Sequence, residues 1–162
     1  AYGEVLAPGY HRFPELEVIA NIPEDELRSA GFGYRGRTIP LVARQVAGEG
    51  GDLWFERCRS GGYDVAFGEL LRLPGVGPKL ADCICLYGFH FTEAVPLDTH
   101  MWQAACRIYF PELAGKAPTE ARYRMIGEFV RTRFGSLAGY AQQLLFVDNL
   151  KNWRARPRYA GA

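Results

Sequence analysis

Apolar residues recur with the period of a helix along most of this chain. Ile39, Val42, Ala43, Val46 and Ala47 fall at i, i+3, i+4, i+7 and i+8, which predicts an amphipathic helix with Pro40 in its tolerant first turn. Upstream, Pro23 is followed by Glu24, Asp25, Glu26 and Leu27, with Gly31 just beyond, the terminal chemistry of a short helix. A stretch from about Asp52 to Arg59 stops at Ser60-Gly61-Gly62, and Tyr63, Ala66, Phe67, Leu70 and Leu71 resume the helical spacing at once. Past Pro74 and Gly77, a helix is predicted from about Pro78 to Gly88, burying Ala81, Ile84 and Cys85. Pro96 breaks the pattern before a helix from Thr99 to about Tyr109. Two more cover Thr119 to Arg133 and Ala138 to Trp153, the last with Ala138, Ala141, Gln142, Leu145, Phe146 and Asn149 along one face. No run alternates with a period of two, so no sheet is expected. The pattern is that of an all-α domain of about eight short helices joined by glycine-rich turns.

Composition supports this picture and narrows the setting. Hydrophobic residues make up 48% of the 162 and charged ones 23%, the balance of a globular domain. There is no apolar run of membrane-spanning length, and Ala1 to Gly9 lacks the features of a signal peptide, so an intracellular protein without a membrane partner is expected. Cys58, Cys83, Cys85 and Cys106 have no paired spacing that suits zinc, a disulfide framework or an iron-sulfur cluster. The net charge of +1 is not that of a strongly basic nucleic-acid binder, yet only Lys79, Lys116 and Lys151 among the 19 basic residues are lysine. The rest are arginine, suited to bidentate phosphate contacts. A basic tail, Lys151, Arg154, Arg156 and Arg158, is either a solvated helix end or a DNA contact.

The chemistry concentrates after the fourth predicted helix. Leu73-Pro74-Gly75-Val76-Gly77-Pro78-Lys79 joins two amphipathic helices, a hairpin spanning about residues 63–88, and Gly75 and Gly77 free backbone amides to approach a phosphate at a helix start. Glycine there also serves helix capping alone. Lys79 falls in the first turn of the next helix, where the dipole disfavours an ammonium and favours a nucleophilic amine; the alternative is a plain surface lysine. Nineteen residues on, Asp98 precedes a helix as a natural N-cap. A carboxylate held by backbone amides stays in place and ionised, so it can also stabilise a cationic sugar transition state. Gln142 lies on an apolar face, where an unpartnered amide costs about 1–3 kcal/mol, which argues for a ligand-facing position.

These residues carry a resemblance. The run Leu73-Pro-Gly-Val-Gly-Pro-Lys79-Leu-Ala-Asp-Cys83-Ile-Cys-Leu, with Ala94-Val-Pro-Leu-Asp98-Thr-His100-Met-Trp102, resembles the helix-hairpin-helix, Gly/Pro-rich, aspartate signature (HhH-GPD) of 8-oxoguanine DNA glycosylases. It extends through Phe32-Gly-Tyr-Arg-Gly-Arg37 and Gly139-Tyr-Ala-Gln-Gln-Leu-Leu-Phe146, nearly the whole chain. The resemblance implies a bifunctional glycosylase and AP lyase of base excision repair, acting as a monomer on duplex DNA with an oxidised purine opposite cytosine. Its setting would be the nucleus in a eukaryote, or the cytoplasm and nucleoid in a bacterium. Lys79 would attack C1′ and form a Schiff base, aided by Asp98. Cys83 and Phe146 would sandwich the flipped base, Gln142 would bond its Watson-Crick edge, and Tyr87 would stand where the family has an apolar pocket residue. Tyr34 would wedge the duplex, Arg35 would reach the widowed base, and His100, Gly75 and Gly77 would contact phosphates. No catalytic cofactor is implied, only a structural sodium, potassium or calcium ion on the carbonyls of Leu71, Leu73 and Val76. The family's amino-terminal β-rich domain and first helices are not recognisable here, so a fragment of a longer protein is expected. A noncatalytic hairpin module and a glycosylase for another oxidised base stay open as alternatives.

Overall fold

The computed structural model describes residues 2–155, with side chains up to residue 150. The basic side chains of Lys151, Arg154, Arg156 and Arg158 therefore lie outside the description. The chain forms two units, one of residues up to Gly61 with Arg72–Gly75, the other of Gly62–Leu71 and the chain from Val76 onward.

The first unit opens with a feature the hydrophobic pattern does not announce. Val5–Ala7 (β1) and Tyr10–His11 (β2) pair antiparallel, with Ala7 opposite Tyr10, so Pro8 and Gly9 form the turn. Gly9 takes a φ of 79°, the left-handed value this turn needs after a proline. The expectation of no sheet is corrected to this extent: strands of three and two residues are too short to display alternation. Leu16–Ala20 (α1) and Glu24–Leu27 (α2) then pack on Arg35–Gly48 (α3). On α3 the expected stripe faces inward, with Ala43 and Val46 buried and Ile39, Val42 and Ala47 half-buried.

Pro40 is not in the first turn of α3, because the helix begins at Arg35 and the proline is its sixth residue. Its ring falls over Gly36, four residues back, where a missing donor and steric crowding are expected. Gly36 itself permits a close approach: a Cβ there would lie 3.1 Å from the Glu24 carbonyl oxygen.

Asp52–Leu71 (α4) is broken where the sequence places Gly61-Gly62. Gly62 adopts φ 79° and ψ −177°, a region essentially confined to glycine. The second unit then comprises the rest of α4 with Pro78–Tyr87 (α5), Thr99–Ile108 (α6), Glu120–Phe134 (α7) and Ala138–Ala155 (α8). Its core gathers Val95, Leu97, Met101, Trp102, Ile126, Val130 and Ala138, and α8 packs on both α6 and α7. The α7 start is capped by Thr119, whose hydroxyl accepts from the Arg122 amide at 3.3 Å. Among the described residues no helix is long and apolar enough to cross a membrane.

Candidate active site

The start of α5 is built by its glycines and proline. Gly75 turns the chain at φ 77°, which favours glycine, and a Cβ there would come within 3.1 Å of the Thr38 methyl carbon, a tight approach. Gly77 is the N-cap, extended at φ −97° and ψ 176°, with no side-chain cap, and Pro78 follows at a position where its missing N–H costs nothing. Lys79 comes next, on an exposed surface. The amides of Lys79 and Leu80 have no partner inside the helix.

Lys79, Cys83 and Tyr87 recur every fourth residue and so share one stripe of α5, exposed at Lys79 and Tyr87 and half-buried at Cys83. The opposite stripe, Ala81, Asp82, Cys85 and Leu86, is buried. On α8, Gln142 is only 3% exposed. The Nε2 of Gln143 donates to its carbonyl oxygen at 2.7 Å and also to the Tyr87 hydroxyl. This bond fixes which end of the Gln142 amide accepts. Partial burial pushes the Tyr87 phenol above its ordinary pKa, with Cys83 adding to the effect and Lys79 and Gln143 opposing it. Lys79, Cys83, Tyr87, Gln142 and Gln143 therefore form one neighbourhood.

Asp98 fulfils its expected structural part. Its backbone is extended, φ −86° and ψ −176°, and its Oδ1 accepts from the Met101 amide at 2.8 Å, capping α6. Two residues on, the His100 ring stands edge-on to Phe146 of α8, centroids 5.9 Å apart. Asn149 of the same helix donates to the His100 carbonyl at 3.1 Å. The His100 Nδ1 is buried, so only Nε2 can turn outward to a ligand.

Tyr34 and Arg35 belong to the first unit, at the start of α3. Tyr34 is 71% exposed, and the Arg35 guanidinium lies 4.9 Å above its ring. A cation over an aromatic face at this distance is attractive, so the pair forms its own surface stack.

Two groups were not anticipated from sequence. Gln143 is one, which no local pattern sets apart from its neighbours. The other is Asp82, 1% exposed, which accepts the hydroxyl protons of Tyr63 at 2.8 Å and Tyr123 at 2.6 Å, and the Val95 amide. Arg131 donates to the Tyr63 hydroxyl at 3.2 Å and lies over its ring. Burial pushes the Asp82 carboxyl above the usual range, while these partners oppose it. A single acid inside the apolar run Leu80 to Leu86 was the available signal.

The profile of the HhH-GPD superfamily of base excision DNA repair proteins matches residues 2–128. The chain is 38% identical over 150 residues to the N-glycosylase/DNA lyase OGG1 of Arabidopsis thaliana, covering 91% of this chain and 41% of that protein. It is 39% identical over 156 residues to the probable N-glycosylase/DNA lyase of Methanothermobacter thermautotrophicus, covering 85% and 47%. Among solved structures, the Clostridium acetobutylicum 8-oxoguanine glycosylase/lyase, bound to duplex DNA with cytosine opposite 8-oxoguanine, superposes with a TM-score of 0.74. The identity there is 29%, over 88% of this chain and 46% of that one. The chain thus spans less than half the length of these relatives.

Proposed function

Because the chain belongs to the HhH-GPD superfamily of base excision DNA repair proteins, we propose that it supplies the catalytic side of an enzyme excising 8-oxoguanine from duplex DNA. The observation that carries this reading is the α5 stripe. It puts an exposed amine at a helix start, a thiol one turn on, and a buried glutamine in the same neighbourhood, in a fold shared with glycosylase/lyases.

The Nζ lone pair of Lys79 attacks C1′ of the flipped nucleotide and the glycosidic bond breaks, its electron pair leaving with the base, which takes up a proton from that nitrogen. O4′ takes up a proton as the sugar ring opens and the Lys79 nitrogen becomes that of a protonated Schiff base, and C2′ then gives up a proton as β-elimination expels the 3′ phosphate. Asp98, held in place by the Met101 amide, directs its carboxyl group at the positive charge that builds on the sugar. The thiol of Cys83 and the ring of Phe146 take the base between them, Gln142 bonds its edge, and Tyr87 closes the pocket beside Gln143.

Gly75 and Gly77 bring backbone amides to a phosphate, and His100 reaches another through Nε2. Tyr34 enters the duplex while Arg35 leaves the stack for the widowed cytosine. The protein is read as a monomer without a membrane partner, at work inside the cell wherever the genome lies, and no cofactor takes part in the chemistry. Three neutral carbonyls, of Leu71, Leu73 and Val76, are a donor set suited to a hard structural cation, and melting in potassium against a bulky organic cation tests that part.

Borohydride reduction in the presence of an 8-oxoguanine:cytosine duplex tests the reading. A covalent adduct is expected with the native chain and none with Lys79→Gln. Absence of an adduct from both leaves a noncatalytic DNA-binding hairpin. Trapping on a thymine glycol duplex in preference moves the substrate to another oxidised base.

A further inference from the structure

Asp82 and the strap Val95-Pro96-Leu97 meet in a way that the chemistry above does not require. Asp82 lies three residues after Lys79, one turn along α5 and on its inner stripe, so the helix backbone ties the two rigidly together. The strap runs directly into Asp98. Pro96 has no N–H, which leaves the strap only two amides, those of Val95 and Leu97. Both end on the same pair of side chains. The Val95 amide donates to Asp82, while the Leu97 amide donates to the Tyr123 hydroxyl at 3.2 Å, and that hydroxyl in turn donates to Asp82 Oδ2 at 2.6 Å.

An apolar side chain would fill so buried a position at less desolvation cost than a carboxylate. What an apolar side chain lacks is direction: it does not fix which way two amides point. The other carboxylate oxygen accepts from Tyr63, itself bonded to Arg131. Every polar group in the cluster thus has a stated partner, the condition under which a buried network specifies geometry.

We infer that Asp82 and Tyr123 are positioning residues: together they clasp the Val95-Pro96-Leu97 strap and so set where Asp98 stands relative to Lys79. Tyr63 braces the far carboxylate oxygen and does not reach the strap. The inference rests on the lysine-aspartate chemistry proposed above, but its first consequence is visible without any substrate.

Two measurements on the intact chain test it. Amide hydrogen exchange followed by NMR reads the strap directly: Tyr123→Phe keeps the ring and removes the hydroxyl's bonds to Asp82, the Leu97 amide and the Val95 carbonyl, and exchange at Leu97 and Met101 is expected to quicken by about tenfold. Tyr63→Phe is expected to leave those two amides within about twofold of the native rate. Single-turnover borohydride trapping reads the chemistry. Tyr123→Phe is expected to slow it by about tenfold with DNA affinity unchanged, but by less than about twofold when Asp98→Asn is already present. Asp82→Asn provides the same two readings should Tyr123→Phe fail to fold.

Unchanged exchange at Met101 overturns the inference. So does a loss of trapping equal in both backgrounds and accompanied by faster exchange throughout α5 to α8, which is ordinary destabilisation. A native chain that traps no adduct while the exchange pattern appears as described overturns the proposed function and leaves the clasp standing.

Discussion

The Cβ that Gly139 lacks would fall 2.8 Å from the carbonyl oxygen of Thr92, the same oxygen that accepts the Gly139 amide at 2.7 Å. The Ala94 carbonyl would be 2.9 Å away on another side. Both obstacles are backbone, and neither can swing aside. Gly139→Ala is therefore expected to cost about 1–3 kcal/mol, measured by urea denaturation. Because Gln142 follows within one turn of α8, excision is expected to fall beyond what the unfolded fraction accounts for.

Asp98 caps α6, and in the proposed reaction it would serve the chemistry with a different property of the same group. Capping needs an acceptor oxygen, which asparagine also has; stabilising a cationic sugar needs charge, which asparagine lacks. Asp98→Asn is expected to melt within a few degrees of the native chain while trapping falls by about a hundredfold or more. Asp98→Ala is expected to lose trapping and about 0.5–2 kcal/mol of stability as well. Equal melting losses in the two variants would mean that the charge, not the cap, holds the start of α6.

Gln143 holds the amide of Gln142 through a single hydrogen bond. Removing it with Gln143→Leu is expected to lower 8-oxoguanine excision two- to about tenfold, the range of one net hydrogen bond. Cleavage of a preformed abasic site, where no base enters the pocket, is expected to be unchanged. Comparing the two substrates under single-turnover conditions separates a pocket effect from damage to Lys79.

Tyr63 and Tyr123 are both pushed above the ordinary phenol range, first by burial and then by Asp82. The unfolded chain releases these protons near pH 10 and the folded chain holds them. The stability they contribute is complete below that value and drains as pH rises beyond it. A Tyr63→Phe, Tyr123→Phe double variant is expected to start less stable at neutral pH but to decline less steeply between about pH 9.5 and 11.5. Urea midpoints across that range check the slope.

Much of this was legible from local pattern. The α3 stripe, the break at Gly61-Gly62 and the Asp98 cap each follow from a few neighbouring residues, and the structure has each of them. Pro40 sits a turn deeper in α3 than the apolar spacing indicates, because Arg35 and Gly36 carry no apolar side chain to mark where the helix begins. Short α1 and the Pro8-Gly9 hairpin lie below the window in which periodicity has meaning. Asp82 was beyond reach for another reason, since its phenolic partners stand 19 residues before it and 41 after it. A lone acid in an apolar run announces that it needs partners, but nothing local says which ones.

The helix that carries Lys79 starts with no side-chain cap, on a glycine and a proline. α6 and α7 finish this end with Asp98 and Thr119, whose side chains accept from the first turn. In the proposed complex a docked DNA phosphate would be the cap the sequence omits. Stability and occupancy would then be linked quantities: raising DNA concentration above the dissociation constant would raise the free energy of unfolding logarithmically. The melting temperature of the protein thus becomes a gauge of whether its lysine faces a backbone.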